Sequence, residues 1–128
     1  MNEPIWIDIP EAMAIHERQI SEHGGRAGVR DNGLLESALH RPKHLYHYSS
    51  PSLPQLAGAY AVGIIQNHPF NDGNKRTALV VALTFLQLNG LELSAPLEEE
   101  YYVFHGVASG TTSEQQLSAW LGHHVTRQ

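Results

Sequence analysis

The chain has 128 residues, 41% of them apolar, and a formal net charge of −5 at neutral pH. That length holds one hydrophobic core, and the apolar share excludes a disordered chain, so a single domain over residues 1–128 is expected. The absence of cysteine excludes disulfide frameworks and thiolate metal sites, and the scattered Lys and Arg lack the clustered positive footprint of a nucleic-acid binder.

The opening MNEPIWIDIP has no basic start and no apolar run, unlike a signal peptide. The longest uncharged apolar stretch, Thr77 to Leu88, falls short of the roughly 20 residues a membrane span needs. A cytoplasmic protein is the expectation, without direct nucleic-acid or membrane binding.

Pro10 suits the first turn of a helix over Glu11 to His23, with Ala12, Ile15, Arg18, Gln19 and Glu22 spaced around it. Gly24-Gly25 ends it, and RAGVRDNG reads as a loop. Asp31 is placed to cap a short helix carrying Leu34, Leu35, Ala38 and Leu39, which Pro42 should stop. Arg41 to Pro54, with three prolines, is expected to be a long functional surface loop.

The next two segments, Leu53 to Asn67 and Asn74 to Asn89, are apolar on most sides. Helices of that kind sit in the middle of a domain. Asn89-Gly90 is a helix stop. Pro96 to Ala108 and Ser113 to His124 read as amphipathic helices, the second opened by a capping box, Ser113-Glu114-Gln115-Gln116. The pattern predicts an all-α fold of about six helices, four shorter ones around two buried central ones.

Between the two apolar helices lies HPFNDGNKR, His68 to Arg76. A polar loop is costly there unless partners satisfy it. Pro69 and Gly73 break the helix pattern, so the second helix must start near Asn74, and its unpaired N–H groups and positive dipole end form an anion site. Gly73 allows the backbone to curl into a nest. Lys75 and Arg76 are unfavourable in a first turn unless an anion neutralises them. Asp72 is suited to a hard divalent cation such as Mg2+, bridged to phosphate oxygens. His68 is the natural general base, and Phe70 should anchor the loop inward. Together these are the parts of a phosphoryl-type transfer.

The same loop resembles the HxFx(D/E)GN(G/K)R signature of the Fic/Doc superfamily, specifically its Doc (death-on-curing) toxin branch. RDNGLLESALHRP (Arg30 to Pro42) and NKRTALVVALTFLQLNGLELSAP (Asn74 to Pro96) are similar to Doc-type segments, so the resemblance runs from about Gly24 to Trp120. It implies a Fic-type helical bundle using ATP and Mg2+. His68 would activate a target hydroxyl and Asp72 would hold the magnesium. Gly73, Asn74, Lys75 and Arg76 would cradle the phosphates.

Fic adenylyltransferases have Gly at the position of Lys75 and a second Arg at that of Leu79. The departures match the Doc pattern, in which a reversed triphosphate gives up its γ-phosphate. The resemblance therefore implies a kinase-type toxin of a type II toxin–antitoxin system that modifies a Ser or Thr hydroxyl, with elongation factor Tu as target. A protein adenylyltransferase or an idle binding module on the same scaffold are the alternatives.

Many Fic proteins carry an inhibitory Ser/Thr-x-x-x-Glu-Gly/Asn helix. Here Ser94 to Glu98 is followed by Glu99, which breaks that pattern, so a cognate antitoxin folding onto a toxin groove is expected instead. His40, His44 and His47 are assigned to the flap-like loop over the active site, not to a metal. His123 and His124 are read as solvated, Glu98 to Glu100 as an exposed first turn, and Trp6 and Trp120 as core or groove residues.

Overall fold

The computed structural model describes residues 3–128. Helix α1, Ile9–His23, starts with Pro10 in its first turn and ends at Gly24. Its buried residues are Ala12, His16 and Gln19. The inward face is thus centred on a histidine, whereas Arg18 and Glu22, expected around it, form an exposed ion pair.

Asp31 caps α2, Asn32–Tyr48, by accepting from the Leu34 N–H at 2.9 Å. The helix does not stop at Pro42. It runs through it, and the expected Arg41 to Pro54 loop shrinks to residues 49–52. Pro42 cannot donate to the Ala38 carbonyl, a loss that breaks isolated helices. Here α3 presses on that point: a Cβ added to Gly63 would lie 3.1 Å from the Ala38 oxygen. Pro42 is itself buried, as are Leu35, Ala38 and Leu39. Packing on both sides of the proline overrides the local penalty.

A complete capping box, Ser52 with Gln55, opens α3, Leu53–Asn67. From Leu56 to Ile65 every residue of α3 is buried. Helix α4, Asn74–Leu88, buries Ala78, Leu79, Val81, Ala82, Phe85 and Leu86. These are the two central helices of the expected bundle. The Tyr60 hydroxyl of α3 accepts from the Ile7 N–H at 2.8 Å and donates to the Ile7 carbonyl at 3.2 Å, tying down the segment before α1.

After α4 comes a short strand β1, Leu91–Leu93, then α5, Leu97–Ser109, and α6, Glu114–His124, with a Ser113/Gln116 capping box. Strand β2, Val125–Arg127, pairs antiparallel with β1, Leu91 opposite Arg127 and Leu93 opposite Val125. This ribbon is an addition to the all-α expectation. It closes the C-terminal end against α4 without changing the helical class. No helix is long and apolar enough to cross a membrane among the described residues.

Trp6 stacks on Phe85 and meets Tyr46 edge-on. Trp120 donates its Nε1–H to Glu99 at 2.6 Å. His124 is not solvated: its Nδ1 lies 2.8 Å from the Trp120 carbonyl and its ring tilts over the indole. Glu99 and Glu100 are likewise half-buried, and burial pushes the Glu100 carboxyl up, so only Glu98 of that run is an exposed acid.

Candidate functional site

The loop between α3 and α4 is held by two layers of contacts. On its outer flank lies the segment after α1. Asn71 N–H donates to the Gly28 carbonyl at 3.1 Å, and Arg30 and Asp31 N–H groups donate to the Pro69 carbonyl at 2.7 and 3.1 Å. On the inner side Phe70 is fully buried. Its N–H donates to Asn74 Oδ1 and its carbonyl accepts from Asn74 Nδ2, both at 3.0 Å. A polar loop can sit at this depth because its backbone is satisfied in this way.

His68 is the C-cap of α3 and adopts φ 52°, ψ 54°. It is the one non-glycine residue with positive φ among the described residues. Such a conformation costs on the order of 1–3 kcal/mol and persists where its surroundings fix it. Arg30 does so, donating from Nε to the His68 carbonyl at 2.7 Å and from Nη2 to the Asn67 carbonyl at 3.0 Å. The imidazole is left at the exposed rim of a cleft.

Asp72 is exposed, with one carboxylate oxygen accepting from the Arg26 N–H at 3.2 Å and the other from Gly73 N–H at 3.0 Å. The Arg26 and then the Gly73 amide hold its carboxyl below the usual carboxylate range, and the Arg26 and Arg76 charges add to them. It is therefore ionised at neutral pH with lone pairs to spare.

Gly73, at φ 72°, is the N-cap of α4 and supplies no side-chain cap. The helix begins with open N–H groups followed by Lys75 and Arg76. Neither cation forms an ion pair among the described residues.

His68, Asp72, Gly73, Asn74, Lys75 and Arg76 all border one cleft of about 690 Å³. Ile65 and Leu79 form its apolar floor, and Glu98, Tyr101, Tyr102 and His105 of α5 its far wall. That volume falls in the range of small-molecule and cofactor sites. The side chain of Asn74 differs from the others. It is buried and spent on Phe70, so only its backbone is left to face the cleft.

Sequence reasoning missed His16, Arg26 and Arg30, which brace the loop, and the aromatic wall of α5. Tyr102 at 78% exposure and Tyr101 at 47% are large side chains left open beside the cleft, a signal visible only once α5 is placed. His40, His44 and His47 are helical residues of α2 and not part of a flap. They border no part of this cleft, and no metal-binding group of three such side chains exists among the described residues.

The chain is similar to known proteins in sequence. The model of the Fic/DOC family matches residues 6–86, from the segment before α1 to the last turn of α4. The chain belongs to the Fic/DOC family. The matched span starts earlier than the resemblance carried by the motifs and ends before α5. Two curated relatives are similar to it. Protein kinase doc of Escherichia phage P1 is 38% identical over 84 residues, 65% of this chain and 67% of that protein. Toxin Doc of Mycolicibacterium smegmatis (strain ATCC 700084 / mc(2)155) is 42% identical over 78 residues, 59% of each. The chain thus spans about three fifths of the second relative's length.

Proposed function

We propose that this protein is a Doc-type protein kinase, the toxin of a toxin–antitoxin pair, acting in the cytoplasm as one domain over residues 1–128. It transfers the γ-phosphoryl group of ATP to a Ser or Thr hydroxyl of a target protein, with elongation factor Tu the target and arrest of translation the result. The observation that carries this reading is the start of α4: an uncapped helix N-terminus with Lys75 and Arg76, beside Asp72 and facing His68 in one cleft. The relatives named Protein kinase doc and Toxin Doc support it.

His68 takes the proton of the target hydroxyl as its oxygen bonds to the γ-phosphorus, and the bond to the β-phosphate oxygen breaks to release ADP. Open N–H groups of Asn74 and Lys75, in the turn that Gly73 allows, hold the phosphates with the Lys75 and Arg76 charges. Leu79 is apolar floor where a second arginine would contact phosphate in an adenylyltransferase, and Lys75 occupies the place of a glycine. Both differences favour the γ- over the α-phosphate.

The Asp72 carboxylate fits Mg2+: it is exposed, ionised and fixed by two amides. A single carboxylate with phosphate oxygens and waters is the usual magnesium set. Magnesium when bound neutralises charge on the phosphate oxygens.

Incubation with α- and γ-labelled ATP and purified elongation factor Tu tests the reading. Label from the γ position alone is expected. Transfer only from the α position would make the protein an adenylyltransferase, and transfer from neither, to this factor or to a cell extract, would leave a binding module. A cognate antitoxin predicts that expression alone arrests growth and that co-expression relieves it.

A further inference from the structure

We propose that His16 is a positioning residue that locks the peptide between Asp72 and Gly73, and so sets both the Asp72 carboxylate and the start of α4. It lies in the middle of α1, is 2% exposed, and has Nε2 2.8 Å from the Asp72 carbonyl oxygen. A carbonyl only accepts, so Nε2 carries the proton. The ring lies parallel to that of Phe70, with 3.9 Å between centroids and 6° between planes. A phenylalanine or leucine would fill this volume without burying a polar group. What the imidazole adds is a donor, aimed at one backbone atom.

That atom sits where the chain most needs a lock. A peptide plane followed by glycine turns over easily, because Gly73 tolerates either sign of φ. A flip of the 72–73 peptide would swing the Gly73 N–H away from Asp72 Oδ1, its present acceptor at 3.0 Å. It would also take Gly73 out of the φ 72° conformation from which α4 starts. The neighbouring turn is already fixed, because Asn74 holds both polar groups of the Phe70 backbone. His16 fixes the remaining peptide, from beneath and from a residue 56 positions away. It touches no substrate; it acts through Asp72.

The effect on Mg2+ and ATP rests on the kinase reading, whereas the lock itself does not. Three measurements on the whole 15N-labelled chain separate them. Ring 15N shifts of His16 should show the proton on Nε2. Relaxation dispersion should be flat at Gly73 in the wild type and appear in His16→Phe, which keeps the stack and loses the donor. Binding of Mn2+ with ATP should weaken about 10- to 100-fold in His16→Phe, the range for removing a group that orients a metal ligand. His16→Gln, which restores a donor without the ring, should recover most of the affinity and the flat profile.

A proton on Nδ1 overturns the proposal. So does a His16→Phe protein with a flat Gly73 profile, or a His16→Gln protein as impaired as His16→Phe. Should His16→Phe fail to fold, His16→Gln decides alone: a flat Gly73 profile supports the lock and dispersion there overturns it. A wild type that takes up no Mn2+ and ATP sinks the kinase reading, while the tautomer and the Gly73 profile still judge His16.

Discussion

The start of α4 and the starts of the other helices obey opposite rules. Asp31, Ser52 and Ser113 cap α2, α3 and α6 with side-chain oxygens, the last two in full capping boxes. Helices α1 and α5 lack such a bond but carry Glu11, or Glu98, Glu99 and Glu100, in the first turn. Among the described residues α4 alone has neither cap nor acid, and it has two cations instead. Caps and first-turn acids are worth from a few tenths to about 2 kcal/mol each. A chain that applies this chemistry five times and reverses it once has given up stability at that place, and on the kinase reading proposed above the return is an open anion site.

The sharpest way to break this comparison is to keep the site and remove its chemistry. His68→Ala should slow γ-phosphoryl transfer about 100- to 10,000-fold, the usual contribution of a general base. Because the imidazole is exposed, circular dichroism and thermal unfolding should stay at wild type. A variant that transfers label at the wild-type rate would remove His68 from the mechanism and leave α4 as a binding element only.

Lys75→Glu turns the start of α4 into an ordinary one. The apo protein should gain about 0.3–1 kcal/mol in urea unfolding, since an acid replaces a cation in the first turn. Nucleotide binding, read by calorimetry, should fall tenfold or more, as a charge that attracted phosphate now repels it. Loss of stability together with unchanged binding would refute the trade between the two.

Much of this site was legible because its pieces are local. Two apolar runs fix where α3 and α4 lie, and Pro69 and Gly73 fix the break between them, so His68, Asp72, Lys75 and Arg76 fall at predictable places. What stayed hidden is non-local. Pro42 stops a helix by local rules, but its fate depends on how closely Gly63 of α3 approaches Ala38. The β1–β2 ribbon joins three-residue strands far apart in the chain, too short for any alternation to stand out. His16 is an ordinary position on an amphipathic helix until Phe70 and Asp72 come to meet it. Asn74 reads as a phosphate ligand from its place in the motif, yet its amide turns inward to satisfy Phe70.

Removing a cap elsewhere sharpens the contrast from the other side. Ser52→Ala and Ser113→Ala should each lose about 1 kcal/mol in urea or thermal unfolding. Both serines lie away from the cleft, so nucleotide affinity should not change. A Ser113→Ala protein with wild-type stability would mean that its capping box adds nothing, and the asymmetry with α4 would lose its energetic basis.

The smallest expected effect belongs to Asp72, which stands just before that open start. Its carboxyl is held below the ordinary value in the folded chain, first by the Arg26 and Gly73 amides. The folded state therefore binds fewer protons than the unfolded one as pH falls through this range. The stabilisation is fully present above the ordinary carboxylate value, about 4, and is lost as pH falls through the depressed one. Asp72→Asn removes this dependence. The difference in urea midpoint between the two proteins should be small, since the group is exposed and screened by solvent. It should be constant from neutral pH down to about 5 and close steadily below that. A gap that keeps its neutral-pH size into strong acid would show that the two amides hold the Asp72 side chain without favouring its charge. The carboxylate would then be placed at the mouth of α4 by geometry alone.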